Sequence, residues 1–265
     1  MDVKLQKYVS DCGLMSRRAA EKEIENGHFA INGAKAHLGD RVDPAKDRVT
    51  YKGEALKKSG RKVYLVLNKP AGVVTTLQDE LGRKTVSELV NLPGKRVYPV
   101  GRLDKDSEGL LIMTDDGEFA NKVSHPSGGI KKTYLVMLAG KVENNQLDML
   151  RAMRMLDDEP INPVEVNLVD RSDTASKVRF ILSEGKNRQI RRMCEAVGLS
   201  VMQLRRVQMG CVSLGKLESG TYRHLTDEEK AGLLKGLNED KAHGRTHIRA
   251  ISGKAGANRK RTGKR

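Results

Sequence analysis

Apolar residues in this chain come in short, continuous runs separated by breaks rich in glycine and polar residues, a pattern that admits a sheet with helices packed on it and little else. Val63 to Leu67, Leu110 to Thr114 and Tyr134 to Leu138 are each of strand length, and the first runs into Asn68-Lys69-Pro70-Ala71-Gly72. Such runs suit strands covered on both faces. Val178, Phe180 and Leu182 alternate with Lys177, Arg179 and Ile181, as along a pleated strand. Helical spacing is read at Val86 to Val90, Glu118 to Ser124, Asn145 to Arg154, Asn187 to Val197 and Asp227 to Leu237. The mixture predicts an α+β fold with a mixed or antiparallel sheet. No internal repeat is visible. No apolar run approaches the ~20 residues of a membrane-spanning helix, and the first residues carry no apolar stretch behind their charges. A cytoplasmic protein without a membrane partner is therefore expected.

Lys and Arg number 49 against 34 Asp and Glu, a formal net charge of +15, so the expected partner is a polyanion, nucleic acid first. Three Phe, six Tyr and no Trp are too few for a base-stacking sheet, and binding should rest on phosphate charge and on shape. Cys12, Cys194 and Cys211 stand too far apart for a CxxC pair or a zinc knuckle, and neither a disulfide nor a metal scaffold is expected.

Composition divides the chain into a small unit over residues 1–55, a polar linker over 56–62, a larger domain over 63–237 and a basic tail over 238–265 that is expected to be disordered. In the small unit, Leu5, Tyr8 and Val9 stand at helical spacing. Ser16 is a good N-cap for a second helix, Arg17 to Asn26, in which Ala20 and Ile24 share a face and Gly27 stands just past the end. Phe29 and Ile31 then run into Asn32-Gly33, a hairpin signal. Arg17, Arg18 and Lys22 near the helix start suit phosphate contacts, though the pattern alone also fits a solvated surface helix.

Three segments could carry chemistry. Gly101-Arg102-Leu103-Asp104-Lys105-Asp106-Ser107-Glu108-Gly109 places carboxylates and cations on a glycine-bounded loop ahead of a buried strand. An Asp in a turn is most often a turn former, but a loop delivered by buried strands can aim a carboxylate at one atom. In Glu184 to Met193, an apolar stripe of Ile190, Met193, Cys194 and Val197 leaves Arg188, Arg191 and Arg192 on the other side, to be solvated, to clamp phosphates or to pair with a carboxylate. Tyr134 opens an apolar strand after Lys131-Lys132-Thr133 and by itself reads as a core residue.

Taken together, in this order, these segments resemble the successive motifs of the bacterial RNA pseudouridine synthases. More narrowly, residues 3 to 237 resemble the ribosomal RNA branch that joins an S4-type RNA-binding module, here Leu5 to Val49, to the catalytic domain. Asp104-Lys105-Asp106-Ser107 and Asn187-Arg188-Gln189-Ile190-Arg191-Arg192-Met193-Cys194-Glu195 are most similar to the large-subunit synthases B and F, F the nearer. The resemblance implies isomerisation of uridine in place: the base leaves C1′ of the ribose, turns, and is rejoined through C5, with no cofactor and no metal. It makes Asp104 the essential carboxylate, either attacking C1′ or removing a ribose proton, with Arg191 as the guanidinium that keeps it charged and Arg188 as the fallback. Tyr134 would lie against the target base, and Arg102 would fill the space vacated by the flipped nucleotide. Arg17, Arg18, Lys22, Arg188 and Arg192 would bind RNA. The implied partner is ribosomal RNA, of the large subunit, and the implied state a monomer.

Two other readings compete. A non-catalytic ribosomal-RNA-binding assembly factor would use the charge and the small unit but leaves the Asp104 loop unexplained. A metal-dependent nuclease would gather Asp104, Asp106, Asp115, Asp116 and Glu118 around magnesium, although those carboxylates look better placed at turns and helix starts.

Overall fold

The computed structural model describes residues 2–57, 60–125 and 128–235. The basic tail expected to be disordered lies outside these residues. The first helix, α1 (Leu5–Asp11), follows a two-residue strand β1 (Val3–Lys4), and the second, α2 (Arg17–Glu25), begins where expected. Ser16 caps α2 by accepting a hydrogen bond from the Ala19 amide at 3.1 Å, and Ala20 and Ile24 turn inward. The strands β2 (Phe29–Ile31) and β3 (Ala34–Lys35) close a hairpin on Asn32 and Gly33, at φ 52° and 88°, the left-handed pair that a two-residue turn requires. After β4 (Arg41–Val42), which pairs with β1, β5 (Val49–Tyr51) and β6 (Glu54–Ala55) complete a four-stranded sheet. Leu5, Val9, Ile24, Phe29, Val42 and Val49 form the core of this unit.

The larger part is built on a nine-stranded mixed sheet. Its strands are β7 (Tyr64–Lys69), β8 (Tyr98–Val100), β9 (Glu108–Thr114), β10 (Lys132–Ala139), β13 (Glu165–Arg171), β14 (Ala175–Leu182), β15 (Val201–Met209), β16 (Val212–Ser213) and β17 (Tyr222–His224); β11 (Met155–Leu156) and β12 (Glu159–Pro160) form a separate hairpin. The main path runs β13-β14-β10-β15-β9-β7-β17. Its pairs are antiparallel except β15 with β9, where Arg205 faces Glu108 and Arg206 faces Gly109.

Both faces are covered, which is why the strands read as unbroken apolar runs. On one face α3 (Val86–Leu89), α5 (Asn144–Ala152) and α6 (Gln189–Ala196) bury Val86, Leu147, Leu150, Ile190, Met193 and Cys194 against Leu67, Leu111, Val136 and Phe180. On the other, α4 (Gly117–Ser124) and the helix over 227–235 bury Phe119, Val123 and Leu233 against Val66, Leu110 and Ile112. The first strand runs two residues beyond the apolar stretch, through Asn68 and Lys69. Both polar side chains are buried because carbonyls receive them: Asn68 Nδ2 donates to Leu217 O at 2.7 Å. Among the described residues no helix is long and apolar enough to cross a membrane.

Candidate active site

The loop over 101–107 leaves β8 and returns into β9, and both of its flanks are fixed from below. Thr75, almost fully buried, donates from Oγ1 to Leu103 O at 2.6 Å and accepts from Leu103 N at 3.3 Å, so the residue before Asp104 has both backbone groups held by one side chain. The Gly72 amide donates to Lys105 O at 2.7 Å, and Ser107 N closes a turn onto Asp104 O at 3.1 Å. Lys69, wholly buried, donates from Nζ to Pro70 O at 2.9 Å, Ser107 O at 2.8 Å and Lys105 O at 3.4 Å. Its ammonium therefore ties the end of β7 to both sides of the loop tip. Burial pushes its pKa down to about 8, against the upward pull of Asp106, Asp104 and Glu108.

Gly109 ends the loop where β15 comes against β9. Its φ is +101°, and a Cβ there would lie 2.2 Å from the Arg206 carbonyl oxygen. Only glycine permits this approach.

Asp104 is half-buried and lies in an open cleft of about 510 Å³. One side of the cleft is Val74, Thr75 and the 101–107 loop, the floor includes Tyr134, Leu182 and Leu204, and the far side is residues 184–191. The cleft thus brings together Arg102, Asp104, Tyr134, Arg188 and Arg191. Arg102 is exposed, with no ion pair among the described residues.

The arginines do not sit where the resemblance placed them. Arg191, expected to pair with Asp104, and Arg188, the fallback, both engage Asp106. Arg188 binds it with two nitrogens at 3.1 and 3.2 Å, while Arg191 Nε stands 3.2 Å from Asp106 Oδ2 and its Nη2 donates to Asp106 O at 3.1 Å. The reason is local. Arg188 precedes α6 in the left-handed conformation, φ 47°, and Arg191 follows one turn later, so both guanidiniums reach the exposed side of the loop, where Asp106 stands. Burial raises the Asp106 carboxyl, but Arg188 and Arg191 outweigh it and hold the pKa below the usual carboxylate range.

Arg192 is turned away from the cleft. Its Nε donates to Asp157 Oδ2 at 2.6 Å, on the turn between β11 and β12. In the small unit Arg17, Arg18 and Lys22 are exposed, with no ion pair among the described residues.

The nuclease reading fails on placement. Asp115, Asp116 and Glu118 lie past the far end of β9 from Asp104, a strand of seven residues that spans roughly 20 Å. Asp116 is spent as the N-cap of α4, accepting from Glu118 N at 3.0 Å and Phe119 N at 3.1 Å, and Asp115 accepts from Val63 N at 2.7 Å. Among the described residues no group of three or more His, Cys, Asp or Glu could hold a metal ion.

Sequence reasoning missed Lys69 as the support of the loop, and it missed β15 with Arg206. The available signal for the first was a lysine before proline at the end of a buried strand; β15 gave none, because Arg205 and Arg206 interrupt its apolar pattern.

Residues 63–196 match the family model described as RNA pseudouridylate synthase. Over 239 residues the chain is 38% identical to an uncharacterized RNA pseudouridine synthase of Aquifex aeolicus, covering 89% of this chain and 96% of that one. It is 37% identical over 229 residues to ribosomal large subunit pseudouridine synthase B of Bacillus subtilis, covering 85% and 93%. It is 35% identical over 260 residues to the dual-specificity RNA pseudouridine synthase RluF of Shigella flexneri, covering 97% and 87%. A pseudouridylate synthase crystal structure superposes with a TM-score of 0.63 at 31% identity, over 87% of this chain and 99% of that one. The chain belongs to the RNA pseudouridine synthase family.

Proposed function

We propose that this enzyme converts a uridine of large-subunit ribosomal RNA to pseudouridine, with Asp104 as the carboxylate that acts on the ribose. The observation that carries this reading is the placement of Asp104: half-buried, on a loop fixed by Thr75, Lys69 and Gly72, in a cleft it shares with Tyr134 and Arg102. A uridine stacked in RNA hides its C1′, so the nucleotide turns out into the cleft at a cost of a few kcal/mol. Tyr134 offers the everted ring a flat face, Arg102 fills the gap left in the RNA, and Asp104 acts as nucleophile at C1′ or as base toward a ribose proton. Arg188 and Arg191, held by Asp106, border the path of the RNA backbone. No cofactor is required, because the bond that breaks and the bond that forms belong to the same nucleotide.

Residues 1–55 are the S4-type module, 56–62 the linker, 63–237 the catalytic domain and 238–265 a basic tail. Arg17, Arg18 and Lys22 on α2 dock the module on folded RNA through phosphates. The enzyme acts as a monomer in the cytoplasm. Names of relatives support the large-subunit target: the Bacillus protein is called a ribosomal large subunit synthase. Mapping pseudouridines in ribosomal RNA from cells with and without the gene tests it. Loss of a large-subunit site is expected, and an unchanged map would refute the assignment.

A further inference from the structure

The seam between the small unit and the larger sheet is an open groove that adjoins the cleft. Val74 and Thr75 line the cleft, and the residues that follow them directly, Thr76 to Glu80, line the groove, so one loop forms a wall of each. The loop is fixed at both ends. At its base Val74 N donates to Lys84 O at 2.9 Å and Val86 N to Val74 O at 3.1 Å. At its tip Asp79 accepts from Leu81 N at 3.2 Å, Arg83 N at 2.9 Å and Arg83 Nη2 at 2.6 Å. The groove encloses about 1110 Å³, against about 510 Å³ for the cleft, and no aromatic side chain lines it. A site of that size without a stacking platform suits a sugar-phosphate backbone rather than bases.

The charges in the groove are unevenly matched. Arg18 of α2 lines it from the small unit, and Arg96, ahead of β8, from the larger one. Arg96 also lines the neighbouring groove, where Arg17 stands. Half withdrawn from water, Arg96 has its pKa lowered by burial, with the Tyr98 hydroxyl pulling the other way. Of the other charged residues in the groove, Asp79 is spent on Arg83, and Lys95 is drawn to Asp115 at 3.7 Å. Glu80 is exposed, and neither Arg18 nor Arg96 makes an ion pair among the described residues. A cation partly desolvated without a counter-charge is unfavourable until an anion reaches it.

A strand that delivers one everted nucleotide to the cleft leaves it in two directions. Toward residues 184–191 it meets Arg188 and Arg191; toward Val74 and Thr75 it meets the groove. We infer that the groove takes the RNA backbone flanking the everted uridine, and that Arg18 and Arg96 grip one phosphate of it from the two units. This rests on the reading of the Asp104 cleft given above. Because the two arginines belong to different units, the phosphate they share ties the small unit to the larger sheet across the seam. The uridine that reaches Asp104 is then the one at a set distance along the strand from that phosphate, so the grip contributes to site selection as well as to affinity.

The test measures affinity for an RNA stem-loop bearing the mapped uridine, as a function of salt. Arg96→Gln is expected to lower the slope of log affinity against log salt by about 0.7–0.9, which weakens binding about five- to eightfold more at 0.1 M salt than at 1 M. Arg96→Lys, which keeps the charge, should keep the slope. An unchanged slope in the glutamine variant, or one lost equally in both, overturns the inference. A methylphosphonate at successive positions along the stem-loop then removes one phosphate charge at a time. At one position flanking the uridine the wild type should show the same loss, and Arg96→Gln and Arg18→Gln should lose nothing further there. If both arginine effects persist in full at every position, the groove does not hold the strand. Arg18 is exposed on α2, so its variant gives the same readout should Arg96→Gln not fold. Asp104→Asn is run alongside. If it forms pseudouridine at the wild-type rate, the reading of the cleft fails; if it is inactive while no phosphate couples to Arg96 or Arg18, the inference alone fails.

Discussion

Two aspartates, two residues apart on one loop, meet different surroundings, and under the proposed function the difference separates the carboxylate that acts on the ribose from one held by arginines. Asp106 is exposed and held by Arg188 and Arg191 at 3.1–3.2 Å, whereas Asp104 lies half-buried in the cleft, free to meet a substrate. Beneath them Lys69 supplies positive charge without a salt bridge, through three carbonyls of the loop and its approach. Keeping that ammonium dry has a consequence that depends on pH. Its folded pKa, about 8, lies below the 10.5 of an unperturbed lysine. Between those values the unfolded chain binds more protons than the folded one, so this residue makes stability rise with pH, and below about 8 the full cost of burying the charge is present. Lys69→Met removes the dependence. Urea denaturation from pH 7.5 to 10.5 should show the wild type gaining stability relative to the variant as pH rises; a constant difference would mean that Lys69 does not titrate in this window.

At the scale of elements, the crossing of β15 and β9 sets the site. Gly109, at φ +101° and against the Arg206 carbonyl, is the point where the loop hands over to the strand. Gly109→Ala must push the two strands apart, and a loss of more than about 2 kcal/mol is expected in urea denaturation, with turnover falling because the Asp104 loop moves with β9. A variant as stable as the wild type would show that the close approach is not needed. These elements were unevenly legible in the sequence. Ser16, Asn32-Gly33 and the stripe of Ile190, Met193 and Cys194 announce their structures, because capping, turn geometry and helical burial each act within a few residues. The Asp104 loop was legible as a motif. What positions it was not: Lys69 reads as part of a turn, since nothing local says that three carbonyls will surround it. Strand β15 hid for the same reason, as Arg205 and Arg206 interrupt its apolar pattern and only the arrival of β9 and β10 on either side explains a buried arginine there. The pairing of Arg191 with Asp106 rather than Asp104 likewise depends on the left-handed turn at Arg188, which spacing does not reveal.

For the whole molecule, the small N-terminal unit and the larger sheet meet along a groove lined by Arg18, Ala19 and Met15 from one and by Thr76, Arg96 and Val97 from the other. Lys7 bridges the two to Glu118 at 3.4 Å, and Lys62 donates to Asp11 O at 3.3 Å and Asp115 O at 3.2 Å. Arg17 and Arg18 of α2 line grooves that Arg96 also lines. Replacing Arg17, Arg18 and Lys22 together by Ala is expected to weaken RNA binding and to reduce the slope of log affinity against log salt by roughly 2–3, about 0.7–0.9 for each phosphate no longer neutralised. Turnover at saturating RNA should be kept. An unchanged slope would place the RNA elsewhere.

Whether Asp104 performs the chemistry on a uridine turned into this cleft is tested most directly by pseudouridine formation with Asp104→Asn on ribosomal RNA lacking the modification, RNA affinity being determined on the same preparation. Normal binding and no detectable pseudouridine are expected. Product formed at a rate near that of the wild type would contradict the role of Asp104.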